Sequence, residues 1–292
     1  MAFKCGVIEY YPTFELLSQN YAATYEGNGF MSNTYASSNS DDQAFYQAYC
    51  KYFGHDGMKI DPVGAFPIAK ELAQKNMPGA MALLGVMFFE GKATTKDIVQ
   101  SRYWLERGAV AGDSWAQRIL GQHMLKEDAI FGENIWLSLY WLEKAAAQKD
   151  PVACWWVGES YSRDDRIPHD LKKALYWYEK GAELGDLDCQ GRAATLYVQG
   201  EGIEKNPDRA ALWMRNLAEH GAKTAQYYMG VFHKNGEGVE KDYREACRWF
   251  SLAAQNGDPD GLTEIKKIQS ETINDFRFIY SHDLKSALQN LS

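Results

Sequence analysis

The stretch YWLERGAVAGD, Tyr103 to Asp113, returns with small changes as YWLEKAAAQKD from Tyr140, YWYEKGAELGD from Tyr176, LWMRNLAEHGA from Leu212 and RWFSLAAQNGD from Arg248. Its tryptophans, Trp104, Trp141, Trp177, Trp213 and Trp249, stand 37, 36, 36 and 36 residues apart. A fixed period of this size is the signature of a repeat architecture. A second anchor keeps step with the first. Ala80, Ala116, Ala153, Cys189 and Ala225 are small, and Gly85, Gly121, Gly158, Ala194 and Gly230 follow them five residues on. Three residues further comes a bulkier group, at Phe88, Met124, Tyr161, Tyr197 and His233. Continued backwards, the register puts Ala44 at the small place and Ile68 at the tryptophan place, so the array starts near Asp41. Continued forwards, it puts Gly261 in a last, incomplete copy.

Each copy reads as two helices. In the first, the small residue, the glycine and the bulky group fall on one side, where a neighbouring helix can approach closely. In the second, Trp with Ala five residues on, as in Trp104 and Ala109 or Trp177 and Ala182, offers a large knob and a small hole to the adjoining copy. Gly112, Gly185, Gly221 and Gly257 are placed to stop the second helix in the left-handed conformation. Between the helices, GEGIEKNPDRA from Gly200 and GEGVEKDYREA from Gly236 carry turn glycines, with Asp208 or Asp242 available as the next cap. One such pair cannot bury its apolar face alone, whereas stacked pairs share a continuous core. The expected fold is therefore all-α, a right-handed α-solenoid of stacked antiparallel helix pairs with about six units and capping helices.

Composition narrows the function. The 292 residues are 46% hydrophobic and 24% charged, ordinary values for a folded chain. No run of about 18 apolar residues suggests a spanning helix. The start, MAFKCGVIEYYPTFELL, is broken by Glu9 and Glu15 and does not read as a secretory signal, so a cytoplasmic location is expected. A net charge of −8 disfavours nucleic acid or anionic lipid and suits a neutral or basic protein partner. Cys5, Cys50, Cys154, Cys189 and Cys247 are odd in number and lack CxxC spacing, so they read as reduced, mostly buried thiols. Thr13 to Tyr25 suggests a short helix in an N-terminal arm, residues 1–40, that caps the array or lies in its groove. The array itself spans 41–269, and residues 270–292 read as a closing helix.

The two anchors together resemble the Sel-one-like repeat (SLR) family, relatives of the tetratricopeptide repeats. The family pattern, A-x(3)-LG-x(2)-Y-x(2)-G-x-G-V followed by D-x(2)-KA-x(2)-W-x(3)-A-x(3)-G, is followed closely by Ala225 to Asp258 and well by Leu187 to Ala222. The copy from Ser114 departs from it with LKEDAIFGEN at the glycine turn, and the copy from Pro151 does so with SRDDRIPHD. The resemblance implies protein–protein contact as adaptor or scaffold, in bacteria sometimes in signalling, virulence or toxin neutralisation, and it implies no reaction. Some secreted members brace each repeat with a disulfide. No copy here carries two cysteines at corresponding places, which favours the intracellular reading.

Nothing conspicuous calls for catalysis or a cofactor. The six histidines form no HExxH or other close metal spacing, and His233 sits where other copies carry Tyr or Phe. The GEG triplets lack a following GK[ST] and recur with the repeat, so they read as structural turns. A metal site at Asp164 and Asp165 has only two ligands and no visible companions. Functional interest falls instead on first-helix positions that vary between copies, because that helix lines the concave face of related solenoids. They are Trp115, Arg118, Gln122 and Lys126, then Trp155, Glu159 and Arg163, then Tyr227 and Lys234. Trp, Tyr and Arg are the types enriched in binding hot spots; the alternative for Trp115 and Trp155 is packing against their neighbours, since Trp is usually largely buried. The expected function is non-enzymatic binding of one protein partner on that face, with bacterial immunity against a toxin as the finer reading. A general adaptor for signalling or envelope processes is the alternative, and a metal-dependent enzyme the weakest.

Overall fold

The structure is a computed structural model and describes residues 40–125 and 134–272. The arm before Ser40, the closing segment FRFIYSHDLKSALQNL and Lys126 lie outside the described residues. Among the described residues there are thirteen helices and no strand. The chain divides after Asp150 into two compact units. The first holds α1 (Ser40–Phe53), α2 (Pro62–Gln74), α3 (Pro78–Glu90), α4 (Ile98–Val110), α5 (Ser114–Leu125) and α6 (Ile135–Ala147). The second holds α7 (Pro151–Arg163), α8 (Leu171–Glu183), α9 (Leu187–Gln199), α10 (Pro207–Glu219), α11 (Lys223–Asn235), α12 (Tyr243–Gln255) and α13 (Gly261–Thr272). Within each unit every helix packs on the next. Odd-numbered helices are the first of a pair, and α1 with α3, α3 with α5, and α7 with α9 also lie side by side.

The glycine of the first helix is where the pair closes. A Cβ at Gly85 would stand 2.7 Å from Leu105, one at Gly121 2.7 Å from Leu142, one at Gly158 2.5 Å from Tyr178 and one at Gly230 2.6 Å from Phe250. The inserted side chain is thus the residue after the tryptophan. Leu105, Leu142, Tyr178 and Phe250 are essentially sealed from solvent, whereas Trp141, Trp177 and Trp213 are only half-buried. The tryptophan has a different task. Trp104 packs with Leu72 and Ala73 of α2 and with Ala80, Met81 and Leu84 of α3, which ties its copy to the preceding one.

Caps repeat as strictly as the core. Asp61, Asp97, Asn134, Asp170, Asn206 and Asp242 each accept a backbone N–H from the first turn of a second helix. Asn206, not Asp208, therefore caps α10, and Asp208 lies inside its first turn. The cap residue also donates its own N–H back to the bulky place of the first helix. Asp97 donates to Phe88 O, Asp170 to Tyr161 O, Asn206 to Tyr197 O and Asp242 to His233 O, at 2.8–3.2 Å. This bond persists in the Pro151 copy, whose turn otherwise departs from the glycine form. There Arg166 folds onto Asp164 and Ile167 is buried. Gly112, Gly185, Gly221 and Gly257 stop the second helices at positive φ, and Asn76 and Lys149 hold that conformation in the copies without glycine.

A further recurrence joins the copies. Gln117, Gln190 and Gln226 donate to the carbonyls of Ala109, Ala182 and Ala218 at the ends of the preceding second helices. Gln148 and Asn256 then donate onto Gln117 and Gln226. Each such bond contributes about 1 kcal/mol, and losing one partner leaves a buried polar group unsatisfied.

Two glycines of the second unit separate packing from propensity. Gly230→Ala should lower stability by about 1–3 kcal/mol, because its methyl meets the Phe250 ring. Gly191→Ala, whose Cβ meets nothing nearer than Leu217 at 3.8 Å, should raise stability by roughly 0.5–1 kcal/mol through helix propensity. Urea melts of both variants read the two signs, and equal signs would refute the close-approach account.

In the first unit, Asp113 caps α5 by accepting the Ala116 N–H at 2.7 Å. Asp113 is half-buried as a residue, yet burial of its carboxyl pushes it up to about 6, with the Ala116 N–H and Arg118 opposing. The adjacent Asp150 pushes in the same direction as burial. A carboxyl raised in the fold holds its proton more tightly there than in the unfolded chain. Its stabilising contribution is complete below the ordinary value of 3.8 and fades as pH rises through about 6. Asp113→Asn keeps a capping oxygen and deletes this titration. In urea melts the variant should gain steadily on the wild type between about pH 4 and 7. A stability difference that stays flat over that range would contradict the assignment.

Candidate functional site

The structure separates the nine sequence-selected positions into groups with different surroundings. In the first unit, Trp115, Arg118 and Gln122 are buried, as is every residue of α5 from Trp115 to Leu125. None of these three faces solvent, and the reason is local. Trp115 lies against the rings of Tyr49 and Phe53 of α1, at centroid distances of 6.3 and 6.0 Å. Arg118 Nε donates to Asp150 Oδ2 at 2.9 Å, with side chains 2% and 9% exposed. Beside them Phe89 and His123 bring their rings to 4.1 Å. The first helices of this unit are therefore joined by aromatic side chains where an open lining was expected.

In the second unit the first-helix positions stay in reach of solvent. Arg163 is exposed, and Trp155, Glu159, Tyr227 and Lys234 are half-buried. Trp155 stands edge-on to Trp156 at 5.0 Å. It occupies the fifth place of α7, Gly191 the fifth place of α9 and Tyr227 the fifth place of α11. Gly191 leaves a gap between two aromatics in that row. Tyr227 leans on Phe250 at 5.4 Å, and burial, with Glu264, Asp260 and Asp258 nearby, raises its hydroxyl above the ordinary value.

The charged positions are tied to partners on neighbouring helices. Glu159 accepts from Arg192 Nε at 2.7 Å and from the Tyr178 hydroxyl at 2.7 Å, with Arg163 at 3.7 Å. Burial, and then the Glu159 carboxylate, hold the Tyr178 hydroxyl well above its ordinary value. Lys234 bonds Glu264 at 3.1 Å. Burial pushes the Glu264 carboxyl up, but hydrogen bonds from Lys267 and Lys234 outweigh it and hold the group below the ordinary range. Arg192 and Glu264 were not among the sequence candidates. Counting helical places identifies one residue at a time, and these two act as the other halves of pairs.

Among the described residues, no group of three or more His, Cys, Asp or Glu side chains is placed to hold a metal ion. No helix among them is long and apolar enough to cross a membrane. Cys50, Cys154, Cys189 and Cys247 are buried thiols outside any disulfide, and burial raises the Cys189 thiol well above its ordinary value and Cys247 to about 11. Thiols held protonated in this way are poor nucleophiles.

Comparison with known proteins agrees with this architecture. The Sel1 repeat model matches five times, over residues 78–113, 116–150, 151–186, 187–221 and 223–258. No curated protein matches the chain significantly. Among solved structures, a Sel1 repeat protein from Oxalobacter formigenes is 24% identical, covers 82% of this chain and 99% of its own, and superposes with a TM-score of 0.62. A protective antigen of uropathogenic Escherichia coli strains with an SLR fold is 23% identical over 94% of this chain and 67% of its own, at a TM-score of 0.47. An immunity protein from Pseudomonas aeruginosa is 15% identical over 76% of this chain and 83% of its own, at 0.43. The Oxalobacter likeness shows the fold, and the two scores below 0.5 carry no further weight. With five matched copies lying on the helix pairs described above, the chain is an all-α repeat solenoid that belongs to the Sel1 repeat family.

Proposed function

We propose that this chain is a non-enzymatic protein-interaction module whose second unit grips one protein partner with its first-helix face. One observation carries the reading. Once the side chains demanded by the repeat are set aside, that face still presents Trp155, Arg163, Tyr227 and Lys234 in contact with solvent, with a gap at Gly191. Glu159 stiffens the face through Arg192. Aromatic and Arg side chains anchored on rigid helices are what a binding hot spot requires. Among the described residues, repeat packing accounts for the buried thiols and the turn glycines.

The finer reading is neutralisation of a bacterial toxin in the cytoplasm, supported by the net charge of −8, which suits a basic partner, and by buried thiols outside any disulfide, which suit a reducing compartment. A general adaptor role in signalling or envelope processes draws on the same face. The two differ in their neighbours and in phenotype: an immunity protein protects cells that co-express the adjacent effector, and an adaptor does not.

Trp155→Ala combined with Arg163→Glu should weaken capture of the partner at least about tenfold, which corresponds to ~1.4 kcal/mol. Arg118→Glu is unsuitable for this test because it strands a buried charge. Pull-downs with the intact protein and the double variant, compared for the same partner, provide the measurement. Equal recovery would sink the model.

A further inference from the structure

The glutamine ladder has one incomplete rung. Gln117 and Gln226 each donate to the preceding second helix and accept from the C-cap of their own copy's second helix, Gln148 and Asn256. Gln190 donates in the same way to the Ala182 carbonyl, but its buried Oε1 has no hydrogen-bond partner among the described residues. Folded proteins leave few buried polar atoms open in this way. The residue at the matching place, the C-cap of α10, is His220. The copies vary these two places together. Where the first-helix place holds Met81 or Cys154, the C-cap is Ala111 or Leu184, whose side chains have no polar atom. Lys75, at the same place in the copy of Phe45, turns to Asp41 and Glu71. Each copy that carries the glutamine thus ends its second helix with a side chain that can donate.

Histidine is a conditional donor. Its Nδ1 lies 2.8 Å from the Asn216 carbonyl, which can only accept, so Nδ1 carries the proton of the neutral ring. Nε2 then holds a lone pair and cannot donate to Gln190 as Gln148 and Asn256 donate to their glutamines. Flipping the Gln190 amide would present a donor instead, at the loss of its bond to Ala182. Only the imidazolium donates from both nitrogens and satisfies both acceptors. We infer that His220 is a proton-gated rung, open when the ring is neutral and closed onto Gln190 Oε1 when it is protonated, so that acid tightens the joint of α8, α9 and α10. The C-terminal end of α10 favours the same charge. The charged side chains around this joint are Glu183 on α8, Asp186 and Asp188 at the start of α9, Arg215 and Glu219 on α10, and Lys223 on α11. All of them stay in place when His220 alone is replaced. A proton that adds a bond only in the folded chain is held more tightly there than in the unfolded chain. The added stability is therefore present below about pH 6 and fades as pH rises toward about 8. The inference is independent of what the first-helix face binds.

Urea melts between about pH 5 and 8 test it. His220→Gln supplies an amide donor at every pH, as Gln148 does in its own copy. Lowering the pH across this range should decrease the unfolding constant of the wild type about tenfold relative to that of His220→Gln. Asp113 titrates in both chains and cancels in the comparison. In a Gln190→Met background, the same comparison should show no change with pH. Gln148→His, made in the first unit, should acquire the dependence that His220 confers, and it reads the same chemistry if Gln190→Met fails to fold. A wild-type ratio that stays flat with pH, a gain that survives Gln190→Met, or a Gln148→His chain without the dependence overturns the inference.

Discussion

Four of the helix pairs depend on how closely the second helix can approach the first at one glycine, while Ala194 holds that place in α9 and Tyr49 in α1. An added Cβ there would come within 2.5–2.7 Å of the side chain lying over it at Gly85, Gly121, Gly158 and Gly230, so the absence of that carbon sets the separation of the pair. The side chain that enters is Leu, Tyr or Phe as the copy allows, which makes shape at this point less strict than the hole itself. Burying each such side chain stabilises by about 2 kcal/mol. Because the contact is internal to a pair, it fixes the unit that is then repeated. Tryptophan and glutamine do the separate task of joining one repeat copy to the next within each unit.

Stability in such an array is close to a sum of pair terms and nearest-neighbour terms. Positions outside those terms are free to differ between copies, and in this chain they differ in a patterned way. The first helices of the first unit spend their variable positions on one another, through Tyr49, Phe53 and Trp115 and through Phe89 and His123. Its second helices put apolar residues outward, at Val63, Val99 and Trp136. In the second unit the same second-helix place carries charge, at Lys172, Asp208 and Arg244, and accessible aromatics stand on the first helices at Trp155 and Tyr227. Two units made from one repeat thus offer two different surfaces.

Period and helix pairing were legible in the sequence because they need only identity at fixed spacing. Burial order within the period was not. Trp104 is conspicuous because it is rare and constant, but the deepest side chain is its variable neighbour Leu105, and variability hides a position from a search for repeats. The cap of α10 was misplaced for a related reason. Asp208 is the better-looking cap by charge, yet Pro207 is suited to the first helical residue, which leaves Asn206 before it as the cap. For Trp115, Arg118 and Gln122, helical counting put all three on an outward face, and the structure buries them. Counting carried no information about what stands opposite, and α1 supplies the rings that lie against Trp115.

Charge needs the same care on the second unit's first-helix face. Its ionised groups are largely spent on each other, Glu159 with Arg192, and Glu264 with both Lys234 and Lys267, and pairs of this kind present little net field to an approaching protein. The overall charge of −8 is therefore a property of the chain more than of this face. A net charge of that size acts at long range, on encounter rate and on the exclusion of anionic partners. Short-range recognition falls to Trp155, Tyr227 and the exposed Arg163, whose energies come from desolvated contact and hydrogen bonding. Raising salt should accordingly slow association with a basic partner while leaving the dissociation rate nearly unchanged, and substitutions at Trp155 should do the opposite.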